Sequence, residues 1–152
     1  MENKQKKVFL VVLGLVVAFL LIRPYLFPET GTVRTMPVAQ QLQVAFRSEK
    51  PLAIVFSYGA ECCPSTEEFY VAYDAELQQT LGKYKDVESV WLNVGAESSA
   101  DQEAILELAQ QYGITQVPSL LILDGDREMV ARFEGEFDAV EAEGALSEVV
   151  DL

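Results

Sequence analysis

The two cysteines of the chain, Cys62 and Cys63, are neighbours and stand directly before Pro64. The thiolate is the reactive form of this side chain, both as nucleophile and as metal ligand. A bridge between adjacent residues closes almost no loop, so a purely structural disulfide explains the pair poorly. Joined to each other, they would form an eight-membered ring that is strained and therefore oxidising. Cys62 taken alone reads equally well as a small buried apolar residue. Two sulfurs without histidine lack the partners that zinc or copper normally takes, so no metal and no cofactor is expected. The chain has no histidine at all. That excludes His-based nucleophilic triads and the commonest general base at neutral pH.

Charge removes another class. The formal net charge is −13 and is unevenly spread. The first 23 residues carry Lys4, Lys6, Lys7 and Arg23 against Glu2, leaving 7 basic and 23 acidic side chains for the rest. So acidic a body is repelled by phosphate backbones, and nucleic acid is not an expected partner. Its acidity favours basic surfaces instead. The carboxylates of Glu134, Glu136, Asp138, Glu141 and Glu143 read as a solvated face. Phe69, Tyr70 and Tyr73 recur at helical spacing and read as core.

The elements that must position the cysteines follow from periodicity. Pro37 opens a helix over PVAQQLQVAFR, with Val38, Leu42, Ala45 and Phe46 on one face. Pro51 to Tyr58 is a continuous apolar run, suited to a strand buried on both faces. Pro64 then sits in the first turn of a long helix ending near Gly82. Val87 to Val94 is rich in β-branched residues and reads as a strand. Ser98 or Ser99 caps the next helix, which Gly113 stops. LLILD and EMVARFEG, joined at Asp124-Gly125-Asp126, are spaced as a hairpin, and a last helix covers Phe137 to Val150. Alternating strands and helices followed by a hairpin predict an α/β three-layer sandwich over residues 37–152. Its central sheet is mixed, with a parallel portion and an antiparallel edge.

Ahead of this domain, Val8 to Ile22 is an apolar run without a charge. Fifteen residues at about 1.5 Å each span roughly 22 Å, short of a hydrocarbon core near 30 Å. Residues 23–27 extend it, with Arg23 able to snorkel and Tyr25 and Phe27 suited to the interface. A cleaved secretory signal is the rival, but no good small-residue cleavage site follows. The expectation is one transmembrane signal anchor over residues 8–27. Residues 1–7 then stay cytoplasmic, residues 28–36 form a linker, and the domain lies on the extracytoplasmic (periplasmic or outer) face. A short first strand is expected around Thr32 to Met36.

Laid on without a gap, Ser57-Tyr58-Gly59-Ala60-Glu61-Cys62-Cys63-Pro64-Ser65-Thr66 resembles the active-site stretch of the thioredoxin family. There a buried strand leads into A-E-W-C-G-P-C at the start of a long helix. Ala60 and Glu61 match, Cys63 falls on the nucleophilic cysteine, Cys62 replaces the tryptophan, and Thr66 replaces the resolving cysteine. Tyr112-Gly113-Ile114, then Val117-Pro118-Ser119 and an apolar run, resembles the second signature, whose proline is cis and lies beside the active-site sulfur. A second register aligns Cys62-Cys63-Pro64-Ser65 with C-G-P-C and makes Cys62 the nucleophile. It needs a one-residue insertion, so Cys63 is preferred.

The resemblance implies a thioredoxin-like domain that exchanges disulfides through Cys63, with Cys62 as possible resolver. Pro118 and Val117 would meet the client chain, and Pro64 and Thr66 would flank it. A helix start favours that chemistry, because its N–H groups and positive dipole end stabilise a thiolate. Three departures stand against it. Thr66 cannot resolve a mixed disulfide, Ser57 stands where the family often keeps a buried acid, and Glu61 and Glu67 raise a nearby thiol pKa. The expected partners are the thiols and disulfides of exported proteins. Two other functions remain open: a redox-inactive thioredoxin-fold binding module, and a sensor built on a Cys62–Cys63 bond.

Overall fold

Apolar runs become strands where both faces can be covered, and β1 (Leu52–Ser57) shows this most fully, with all six residues buried. The computed structural model describes residues 36–59, 63–95 and 98–150. The expected anchor at 8–27, most of the linker and the first strand expected from Thr32 lie outside those residues. Met36 itself is not in a strand. Among the described residues no helix is long and apolar enough to cross a membrane.

Among the described residues, four helices and three further strands complete the domain. They are α1 (Val38–Arg47), α2 (Pro64–Leu81), β2 (Glu88–Asn93), α3 (Ser99–Tyr112), β3 (Ser119–Leu123), β4 (Met129–Glu134) and α4 (Ala139–Val150). The sheet order is β2-β1-β3-β4. Side chains alternate across it as strand geometry requires. Leu52, Ile54, Phe56, Leu121 and Leu123 pack under α1 and α3. Ala53, Val55, Leu120 and Ile122 pack under α2 and α4. The mixed-sheet, three-layer expectation holds.

Capping fixes the ends of the helices. The Ser98 hydroxyl accepts from the Asp101 amide at 3.4 Å, and Gly113 closes α3 at a left-handed φ of 67°. Asp101 also reaches across, its carboxylate accepting the Val38 amide at 2.7 Å. One acidic side chain thereby satisfies one first-turn amide of a neighbouring helix.

Strand direction holds the main surprise. The β1–β2 pair is parallel, but β3 runs antiparallel to β1 as well as to β4. Antiparallel pairing therefore reaches the middle of the sheet rather than only its hairpin edge. Ser119 faces Phe56, so β3 begins at the end where β1 finishes. This register places the loop before β3 beside the loop that follows β1. Tyr58 and Gly59, which follow β1, and Val117 and Pro118, which precede β3, are thus brought to one end of the sheet.

Candidate functional site at the strand ends

Cys63 is the N-cap residue of α2, in extended backbone at φ −145° and ψ 121°, with Pro64 in the first turn. Its carbonyl accepts from the Thr66 and Glu67 amides at 3.0 Å each, and its side chain is exposed. The proline needs no partner for a missing N–H there, which is why the sequence starts its helix at this point. Thr66 is half-buried and Glu67 exposed. The helix dipole lowers the pKa of a thiol placed at its start, and the Glu67 carboxylate in the first turn opposes it. Ala60, Glu61 and Cys62 lie outside the described residues. Among the described residues no cluster of three or more His, Cys, Asp or Glu is placed to hold a metal ion.

The Val117–Pro118 peptide bond is cis. Pro118 is buried and Val117 half-buried. The Pro118 carbonyl accepts from the Gly135 amide at 2.9 Å. The Tyr70 hydroxyl, about two turns along α2 from Cys63, donates to the Val117 carbonyl at 3.4 Å. The helix that starts at Cys63 and the segment at Pro118 are therefore linked directly.

Glu134 belongs to this site and not to a solvated face, which corrects the sequence reading. One carboxylate oxygen accepts from the Thr115 amide at 2.7 Å, the Thr115 hydroxyl at 2.8 Å and the Gln116 amide at 3.1 Å. Its other oxygen pairs with Arg132 Nε at 3.1 Å. The Thr115 amide and hydroxyl hold the Glu134 carboxyl below its usual range, with Gln116 and Arg132 adding to them. Arg132 Nη1 in turn donates to the carbonyls of Tyr112 at 2.8 Å and Gly113 at 3.1 Å. A Cβ on Gly113 would come within 2.8 Å of that nitrogen, so glycine serves both the left-handed turn and the close approach.

Comparison of the sequence with protein-family models and with curated proteins yields no match. Solved structures do match. Thioredoxin from Trypanosoma brucei brucei superposes with a TM-score of 0.56 at 10% identity, covering 77% of this chain and 89% of that one. Oxidised thioredoxin O2 from Arabidopsis thaliana gives 0.54 at 18% identity, over 75% of this chain and 90% of that one. The DsbH oxidoreductase gives 0.52 at 17%, over 74% and 83%. The chain has a thioredoxin fold.

Within this thioredoxin fold, Ser57 is not an empty substitute for an acid. Its hydroxyl lies 2.8 and 2.7 Å from the two carboxylate oxygens of Asp74 on α2. The carboxylate missing from β1 comes from the neighbouring helix, which the sequence reading overlooked. A helical residue 17 positions away gives no local sign that it reaches back over the strand. Asp74 also lines a cavity of about 260 Å³ with Tyr58, Glu67, Tyr70 and Asn93. Asn93 shapes its rim by accepting the Gly59 and Gly95 amides at 2.9 Å each.

Burial raises the Asp74 carboxyl above its ordinary range, against the lowering effect of the Ser57 hydrogen bond. A carboxyl raised on folding contributes its full stability below the unfolded pKa and loses it as pH rises through the folded one. Asp74→Asn keeps an acceptor for Ser57 and removes the charge. It is expected to raise the melting temperature at pH 7, and the gain should shrink to nothing in acid. Thermal melts of both proteins across that range check this. A variant that is less stable at pH 7 would mean that ionised Asp74 supports the fold.

The aromatic cluster is less buried than expected. Phe69 is 40% exposed, stacks on Tyr73 at 5.8 Å and meets Tyr70 edge-on at 5.3 Å. Tyr73 carries the packing inward to Phe137 at 5.4 Å, and burial pushes its phenol up to about 12.

Proposed function

We propose that this is a thiol–disulfide exchange protein, held by residues 8–27 at the extracytoplasmic face of a membrane and acting on exported proteins. Its attacking group is the Cys63 thiolate. The observation that carries the reading is the exposed Cys63 side chain at the N-cap of α2, on the helix that Tyr70 ties to the cis Val117–Pro118 segment. The positive end of the helix favours thiolate over thiol.

In the first step the thiolate attacks one sulfur of a client disulfide. A Cys63–client mixed disulfide forms, and the other client sulfur leaves as a thiolate that takes a proton from water. Val117 and Pro118 face the client backbone, with Pro64 and Thr66 beside the bond being exchanged. Thr66 has no thiol with which to release the client. A second client thiolate therefore attacks the client sulfur, forming a new client disulfide and releasing the Cys63 thiolate, which isomerises the client. Alternatively, an external dithiol attacks Cys63 Sγ, expels the client as a thiolate and then closes its own disulfide to release Cys63, which reduces the client. Cys62 is the alternative resolver.

The second reading is a redox-inactive binding module, and Thr66 and Glu67 favour it: one removes the resolver, the other puts a carboxylate in the first turn of the helix that a thiolate would cap. Alkylation separates the two. In the full chain carrying Cys62→Ser, the rate of Cys63 alkylation should rise with an apparent pKa about a unit or more below the free-thiol value near 8.5. A value at or above 8.5, or a sulfur that does not react in the folded protein, would leave the binding module.

A further inference from the structure

Residues 113–118 pass from the end of α3 to the start of β3 without regular structure. Backbone groups in such a segment need partners from elsewhere. Here several come from β4 and the residue that follows it. Arg132 and Glu134 are two apart on β4 and share a face. Arg132 takes the carbonyls of Tyr112 and Gly113, while Glu134 takes the amides of Thr115 and Gln116. Gly135, next along the chain, takes the carbonyl of Pro118. The arginine and the glutamate also pair with each other at 3.1 Å. Six backbone groups from Tyr112 to Pro118 are thus engaged, counting the Val117 carbonyl held by Tyr70.

We propose that Glu134 is a positioning residue for disulfide exchange, holding the Val117–Pro118 backbone in the place where it receives a client chain. This rests on the exchange function proposed above. In this role Glu134 acts through Thr115 and Gln116. Its carboxylate is charged at neutral pH and is held in that form by the same donors it orders. Removing it leaves the Thr115 and Gln116 amides and the Arg132 guanidinium without this partner. A displacement on the order of 1 Å in a segment that aligns a substrate is costly to catalysis.

The test compares the full chain with its Glu134→Ala and Glu134→Gln variants. A peptide closed by one disulfide serves as client, and dithiothreitol as the external thiol. Glu134→Ala is expected to raise KM for the peptide about tenfold. Cys63 alkylation by iodoacetamide, measured with Cys62→Ser present, should stay within about twofold of its parent because the sulfur's helix is untouched. Glu134→Gln keeps a neutral acceptor and should recover part of the loss; it carries the test alone if Glu134→Ala does not fold. An unchanged KM in a folded variant overturns the role. So does an equal loss of alkylation rate, which would mean general loosening of the site. If the unmutated protein does not exchange the peptide's disulfide, the exchange function fails, and this role fails with it.

Discussion

Cys63→Ser should abolish disulfide exchange, with a loss of at least about 10³-fold, and leave the fold as stable as before. The loss follows from chemistry, because a hydroxyl does not form the mixed disulfide at neutral pH. The stability follows from position. Cys63 is exposed and is the N-cap of α2, a place where serine is among the favoured residues. Surface changes of this kind move stability by about 0.5 kcal/mol or less. Activity and folding are therefore separable at this residue, which is rarely true of a buried one. The control is Cys62→Ser, which should retain exchange if Cys63 attacks first. With Thr66 in place of a resolver, the Cys62→Ser protein should also accumulate mixed disulfides visible on non-reducing gels. Exchange by Cys63→Ser at close to the original rate would sink the assignment. If Cys62→Ser is the inactive variant instead, the one-residue insertion is real and Cys62 is the nucleophile.

Most of the fold was legible because each boundary has a local chemical cause. Pro37 and Pro64 open helices, Ser98 caps one, Gly113 stops it, and Asp124-Gly125 turns the hairpin. Buried strands are continuous apolar runs in both sequence and structure. The direction of β3 was not legible, since alternation of elements fixes their order but not the end from which a strand is entered. Phe69 and Tyr70 show a second limit. Helical spacing marks a stripe but not its edge, and Phe69 falls outside the buried part of it. The site was legible only in part. The second signature implied a cis proline at Pro118, and the Val117–Pro118 bond is cis. Glu134, Arg132 and Asp74 were not found, because their roles are long side-chain reaches to a loop or a strand. A charged residue on a strand near a surface looks the same in the sequence whether it meets water or a backbone amide. Arg127 was missed for the same reason.

Arg127→Ala should cost about 2–4 kcal/mol of stability and lower the melting temperature by about 10 °C. Arg127 follows the turn between β3 and β4 at a left-handed φ of 68°. From there its guanidinium reaches the end of α1. Nη2 donates to the carbonyls of Ala45, at 2.7 Å, and of Ser48. Nη1 reaches those of Lys50 at 2.7 Å and Asp124 at 3.1 Å, and Nε that of Phe46 at 3.4 Å. The last carbonyls of a helix have no intrahelical partner, and the negative end of its dipole favours a cation. The guanidinium also sits 5.8 Å from the centre of the Phe46 ring, within cation–π range. Space is tight beside it: a Cβ on Gly125 would lie 2.6 Å from the Glu49 carbonyl. Two further variants divide the effect. Arg127→Lys should lose nearly as much as alanine, since a single ammonium cannot span the same carbonyls. Arg127→Gly loses the same hydrogen bonds but relieves the left-handed backbone, so it should be about 1 kcal/mol more stable than Arg127→Ala. Urea unfolding of the full chain and its variants measures all three. A loss below about 1 kcal/mol for alanine would mean that water replaces the guanidinium at these carbonyls. The end of α1 would then be held by its apolar face alone. A loss in the expected range makes Arg127 the fastening between the hairpin and α1, at the end of the sheet where β1 begins and β3 finishes.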